Sequence, residues 1–209
     1  MDFFTAPPPP SEPEPVEEMV HPAWVGPPDA MLGGTVPIER TVFRSEALVI
    51  VLTSAVAFPE GVKLHTQMAA RRVEGVSEKT WWDRHELFFG VRHHRGARPG
   101  EPLGDEVLRF GVRFPDGGKA TTVDGRQHPG EWPPPRPEGP LLRDSGGGGG
   151  GGGDHFVSSS RKLWLWPLPP SEPFEFVVEW PAFDVPLTFV EIDGALIAAA
   201  AERARPYWP

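Results

Sequence analysis

The sequence contains no cysteine, which removes disulfides, thiolate metal sites and cysteine nucleophiles. It contains no asparagine, so no N-glycosylation acceptor exists. No apolar run is long enough for a transmembrane helix, and no membrane span is expected. The first Lys or Arg is Arg40, and Met1-Asp2-Phe3-Phe4-Thr5-Ala6 runs straight into prolines. A secretory signal needs a basic start and an apolar stretch, so a cytoplasmic location is expected. Lysine is scarce beside arginine, and the 209-residue chain carries a net charge of −9. An acidic balance argues against nucleic acid as the main partner.

Proline and glycine are abundant, at 28 and 24 residues, near the level that suggests disorder. They are segregated. Residues 1–34 hold 9 Pro and six acidic residues without one Lys or Arg. This tail cannot bury enough apolar surface to offset its ordering entropy, so it is expected to be disordered. Residues 125–153 hold a further 6 Pro and 11 Gly, ending in the octaglycine Gly146–Gly153. The simple expectation is a flexible loop at 125–153 inside a single β-rich domain spanning 35–209. A sharper one is an ordered polyglycine strand at a crowded contact that only glycine permits.

Strand signals dominate the remainder. Thr41–Leu52 ends in a buried-strand run, and Val62, Leu64, Thr66 and Met68 share one face of the next segment. Leu108, Phe110, Val112 and Phe114 alternate with Arg109, Gly111 and Arg113, which implies a solvated basic face. Pro115-Asp116-Gly117-Gly118 turns into a hairpin partner at Lys119–Val123. Leu87–Arg92, Phe156–Trp166, Phe174–Trp180 and Leu187–Ile192 read as further strands. Asp193 precedes an alanine-rich run ending in Arg203 and Arg205, which predicts one C-terminal helix with an acid cap. The fold expected is mainly β: an antiparallel sandwich, Ig-like or barrel-like, with that single helix.

The stretches Leu108–Asp124 (LRFGVRFPDGGKATTVD), the glycine run and Leu163–Pro181 (LWLWPLPP…EWP) together resemble an uncharacterised actinobacterial protein family. The resemblance implies that the glycine run belongs to the folded unit. It carries no function, so no catalytic residue follows from it.

Candidate chemistry is sparse. Arg92, His93, His94, Arg95 and Arg98 form the one dense cluster of basic and imidazole side chains. Adjacent histidines on a strand face opposite ways and the arginines repel a cation, so an anion or acidic partner fits better than a metal. Asp83 and His85 would share a strand face and could orient an imidazole, with Glu86 beside them, but no nucleophile motif accompanies them. Leu163-Trp164-Leu165-Trp166 is apolar on both faces, which fits a strand buried on both sides. Alternatively Trp81, Trp82, Trp164 and Trp166 could form an open platform for a sugar, small ligand or proline-rich peptide, including this chain's own Pro7–Pro10 or Pro133–Pro137. The leading expectation is a non-enzymatic interaction or structural module with an unknown protein partner, no cofactor, no metal and no catalytic residue. A ligand-binding sandwich using those tryptophans, and a hydrolase around Asp83, His85 and Glu86, are the alternatives. Oligomeric state is not readable.

Overall fold

The computed structural model describes residues 21–89, 102–124, 132–147 and 150–208. Its elements in chain order are strands β1 (Met31–Leu32), β2 (Gly34–Arg44), β3 (Leu48–Phe58) and β4 (Gly61–Arg71), then helix α1 (Glu78–Phe89). Strands β5 (Arg109–Arg113), β6 (Lys119–Thr121), β7 (Leu141–Asp144), β8 (Phe156–Trp166), β9 (Phe174–Trp180) and β10 (Val185–Ile192) follow. Helix α2 (Gly194–Ala201) and β11 (Arg205–Pro206) close the order. Neither helix is long and apolar enough to cross a membrane.

Two antiparallel sheets face each other. One has the order β2-β3-β4-β8-β7 and the other β10-β9-β5-β6. Ile50, Leu52, Leu64, Met68, Leu163 and Leu165 from the first meet Phe110, Val112, Phe176, Val178 and Trp180 from the second in one core. This is the sandwich the alternation predicted, and among the described residues neither sheet closes into a barrel. Period-two burial is clearest in β9, where Phe174, Phe176, Val178 and Trp180 are buried between half-buried neighbours.

Several local expectations are corrected. Thr41–Leu52 is not one strand but a hairpin. Ser45 turns it, its Oγ accepting from the N–H groups of Ala47 and Leu48 at 3.3 and 3.1 Å. Leu87–Phe89 is not strand but the end of α1, so the described residues form two α-helices. Ser77 starts α1, its Oγ accepting from the Thr80 N–H at 3.1 Å. Residues 90–92 of that expected strand lie outside the described residues. The C-terminal helix forms as expected, with Asp193 Oδ1 accepting from the Ala195 N–H at 2.9 Å, although it ends at Ala201. Arg203 reaches back to the carbonyls of Ala199 and Thr35 at 3.1 and 2.9 Å, locking the helix end to β2. The basic face expected on β5 is charge-balanced instead, because Arg109 pairs with Glu179 and Arg113 with Glu175 across the β5–β9 register. The hydrogen bond from Arg113 holds the Glu175 carboxyl below its ordinary range.

Described parts of two stretches expected to lack structure take part in the sheets. Residues 1–20 of the expected tail lie outside the described residues, but Met31–Leu32 pairs with Arg205–Pro206 and β2 already starts at Gly34. Between 125 and 153, β7 pairs with β8, and the glycines continue along the same edge. Lys162 N–H donates to Gly146 O at 2.9 Å, Ser158 N–H to Gly151 O at 3.0 Å, and Gly153 N–H to Phe156 O at 2.8 Å. A Cβ on Gly150 would lie 1.4 Å from the Ser158 carbonyl oxygen, whereas one on Gly151 would meet nothing. The described glycines therefore form an ordered ribbon, crowded at Gly147, Gly150 and Gly152 and open at Gly146, Gly151 and Gly153. Gly150→Ala is expected to lower unfolding free energy by about 1–3 kcal/mol, as overpacking does. Gly151→Ala should stay within about 0.5 kcal/mol. Urea titration of the two variants side by side checks the contrast.

Candidate partner-binding face

The outer face of the five-stranded sheet is set by strand parity. On β8, Val157, Leu163 and Leu165 point into the core, so Ser158, Ser160, Lys162, Trp164 and Trp166 point out. The β4–β8 register pairs Lys63 with Trp164, His65 with Lys162 and Gln67 with Ser160. On the other flank β7 sets Arg143 opposite Trp164. Lys63, His65, Lys162 and Arg143 thus cluster on three neighbouring strands. Arg44, paired with Val49, and Arg71, paired with Phe156, extend the same face. The residues that the register places on it include no Asp or Glu. The nearby acids Glu39, Glu46 and Glu60 belong to a bulge and to turns.

The electrostatics match that arrangement. Burial, and then the Lys162 ammonium, push Lys63 below its ordinary value. Burial, Lys162 and Lys63 push His65 below 6.5 in the same way. No carboxylate offsets either shift. Four cations elsewhere do meet acids: Lys79 pairs with Asp83 at 2.8 Å, Arg84 with Asp184 at 3.9 Å, and Arg109 and Arg113 with glutamates. Among the described residues, Lys63, Lys162 and Arg143 have no such ion pair.

His65 faces Ser54, with its Nδ1 3.5 Å from Ser54 Oγ, and is flanked by Lys63 and Lys162. Its folded pKa lies below the unfolded value, so in acid the unfolded chain binds the proton first. Stability attributable to this group is intact above pH 6.5 and falls as pH drops from 6.5 towards the folded pKa. His65→Gln should flatten that segment of the curve. Thermal midpoints of both proteins between pH 7.5 and 5 test it, and parallel curves would contradict the assignment.

The tryptophans expected as a platform are placed differently. Trp164 and Trp166 do lie on this outer face, but they are 0% and 5% exposed. They are covered by a strap made from two segments, residues 21–25 and 132–136. Trp164 Nε1 donates to the Ala23 carbonyl at 2.9 Å, and Trp24 Nε1 donates to the Pro134 carbonyl at 3.0 Å. Trp24 meets Trp166 edge-on with centroids 6.1 Å apart, and the Arg136 guanidinium lies 5.2 Å from the Trp166 ring. The Pro133–Pro137 stretch thus meets Trp24 through the Pro134 carbonyl and Trp166 through Arg136, within the same chain. Pro7–Pro10 lies outside the described residues. Trp81 is 3% exposed and donates to the Gly153 carbonyl at 3.0 Å. Trp82 alone of the four is exposed, at 40%. Successive helical residues diverge by about 100°, so Trp81 and Trp82 form no common plane. The open four-tryptophan platform is not formed, because Trp81, Trp164 and Trp166 are buried, the first two with their indole N–H groups donating to backbone carbonyls.

The strand reasoning for Asp83 and His85 fails with the strand itself. On α1 the two residues point roughly 160° apart, to nearly opposite sides of the helix. Asp83 hydrogen-bonds Lys79, while His85 packs beside Trp82 and Phe89 at 4.9 and 5.0 Å between ring centroids. Its Nε2 is buried without a hydrogen-bond partner, against the glycine ribbon at Gly152. Glu86 is exposed on the helix. No general-base pair is assembled there. Arg92, His93, His94, Arg95 and Arg98 lie outside the described residues. Among the described residues, no three His, Asp or Glu side chains are grouped to hold a metal.

The cationic face escaped the sequence reading because its members come from segments joined only by register. Lys63 and His65 at alternate positions of β4 were visible as the solvent side. Their alignment with Lys162 and Arg143 was not.

Comparison with known proteins finds no matching family model, no matching curated protein and no matching solved structure.

Proposed function

We propose that the protein is a non-enzymatic interaction module that receives an acidic, extended protein segment on the outer face of its five-stranded sheet. One observation carries the reading: a chain of net charge −9 presents a sheet face on which Lys63, Lys162 and Arg143 have no ion pair among the described residues and no acid in register with them. A cationic face on an acidic body steers anionic groups to one place and repels them elsewhere. Strand spacing supports an extended ligand, since side chains two apart on one strand stand roughly 6.6 Å apart, as do alternate carboxylates on an extended peptide. A long polyanion such as nucleic acid is disfavoured, because it would run off the face onto acidic surface. The face also lacks free indoles for base stacking, its Trp164 and Trp166 being covered.

The test is fluorescence anisotropy of a labelled peptide of alternating Glu and Ser, measured with the full chain at 50 mM and 300 mM salt. Saturable binding that weakens with salt is expected. Absence of binding at low salt, or tighter binding of a single-stranded oligonucleotide of equal charge, overturns the reading.

A further inference from the structure

We infer that the acidic residues Glu12, Glu14, Glu17 and Glu18 of this chain occupy the same cationic face and compete there with an external acidic segment. The inference rests on the reading just proposed and adds its regulation. Residues 1–20 lie outside the described residues; their charge and their point of attachment are fixed by the sequence and by the strap at Ala23.

The attachment point is specific. Ala23 is held over the sheet by the Trp164 indole N–H at 2.9 Å. Trp164 is the register partner of Lys63 on one side and of Arg143 on the other. The chain therefore enters the fold beside two of the unpaired cations. His21 is fixed there too, its ring meeting Trp132 edge-on with centroids 5.3 Å apart. Glu18 is five residues before Ala23, a span of up to roughly 17 Å when extended. Lys162 is two strand residues from Trp164, about 6.6 Å along β8. The glutamates are within reach of the whole cluster.

Charge points the same way. The first 20 residues carry Asp2, Glu12, Glu14, Glu17 and Glu18 with no Lys or Arg. Glu12 and Glu14 are spaced as the carboxylates of the proposed ligand would be. With the Debye length about 8 Å at physiological salt, only a segment delivered close to the face profits from it. A short tether supplies that delivery, because it sets an effective concentration of order millimolar. A segment binding with only ~0.1 mM intrinsic affinity would then occupy the face most of the time and weaken an external competitor roughly tenfold.

The experiment compares three full-length proteins: the native chain, a tail-neutral variant (Glu12→Gln, Glu14→Gln, Glu17→Gln, Glu18→Gln), and that variant with Lys63→Glu and Lys162→Glu added. The probe is the same Glu/Ser peptide at 50 mM salt. Neutralising the tail should tighten binding roughly tenfold, and the face reversals should then remove it. The His65 ring, followed by NMR titration, should take up its proton at lower pH in the tail-neutral variant, because neighbouring carboxylates have been removed. Equal peptide affinity in the native and tail-neutral chains, with an unchanged His65 titration, overturns the tail contact while leaving the binding face intact. Failure of the tail-neutral variant to bind at all overturns the face itself. Binding that survives the face reversals assigns the peptide to another surface and overturns both.

Discussion

Lys63→Glu with Lys162→Glu lowers affinity for an acidic peptide by about a hundredfold and leaves the fold in place. The size follows from Coulomb's law. Two unit charges 4 Å apart exchange about 1 kcal/mol in water and about 4 kcal/mol near a protein surface. Reversing two contacts turns attraction into repulsion at both, so a loss near the lower end already reaches two decades. The fold should tolerate the change. Lys162 is exposed, Lys63 is half-buried, and the two stand near each other with no acid between them. The double reversal exchanges one like-charge pair for another and gives the new glutamates Arg143 as an opposite charge on the same face, so thermal midpoints should agree within a few degrees. Lys79→Glu, on the exposed surface of α1, is the control. It also reverses a lysine but should leave peptide affinity unchanged, since its partner is Asp83 on the same helix.

Trp164→Ala produces the largest stability loss, about 3–5 kcal/mol by the usual cost of truncating a buried aromatic. At roughly 2–4 °C per kcal/mol for a chain of this size, the midpoint should drop by about 6–20 °C. Trp164 is fully buried, packs edge-on against Phe58 with centroids 5.9 Å apart, and holds the strap through Ala23. Its loss has a local signature that simple cavity formation lacks. Amide hydrogens of Val25 and its neighbours should exchange faster, because the Val25 N–H is held in a turn to Pro22 O at 2.8 Å that stands on this anchor. Trp82→Ala, by contrast, removes a half-exposed ring and should cost under about 1 kcal/mol.

These expectations show where sequence reasoning reaches and where it stops. The alternation in β4, β8 and β9 was legible because polar and apolar residues mark opposite faces of one strand. The Asp193 cap was legible because cap chemistry is local. Leu163 to Trp166 read correctly as a strand buried on both sides, yet what buries the outer side was hidden. Ala23 and Trp164 are 141 positions apart, and no periodicity records that meeting. Helix α1 was missed for a different reason. Trp81, His85 and Phe88 keep helical spacing, but the exposed Trp82 and Phe89 beside them blur the pattern, and paired aromatics favour a strand by local propensity. The hairpin at Ser45 was masked by apolar residues that continue in β3 after a polar interruption of only two residues, Ser45-Glu46. The cationic face depends entirely on register: each lysine alone is an ordinary surface residue, and only pairing His65 with Lys162 and Trp164 with Arg143 makes a cluster.

The most direct test of the central claim is backbone and histidine-ring NMR of the tail-neutral chain as the Glu/Ser peptide is added. The account predicts shifts that saturate together at Lys63, His65, Lys162 and Arg143, with His65 protonated at higher pH in the complex than alone. Shifts confined to other surfaces, such as the Arg92–Arg98 stretch or the outer side of α1, with those four residues unmoved, would contradict it.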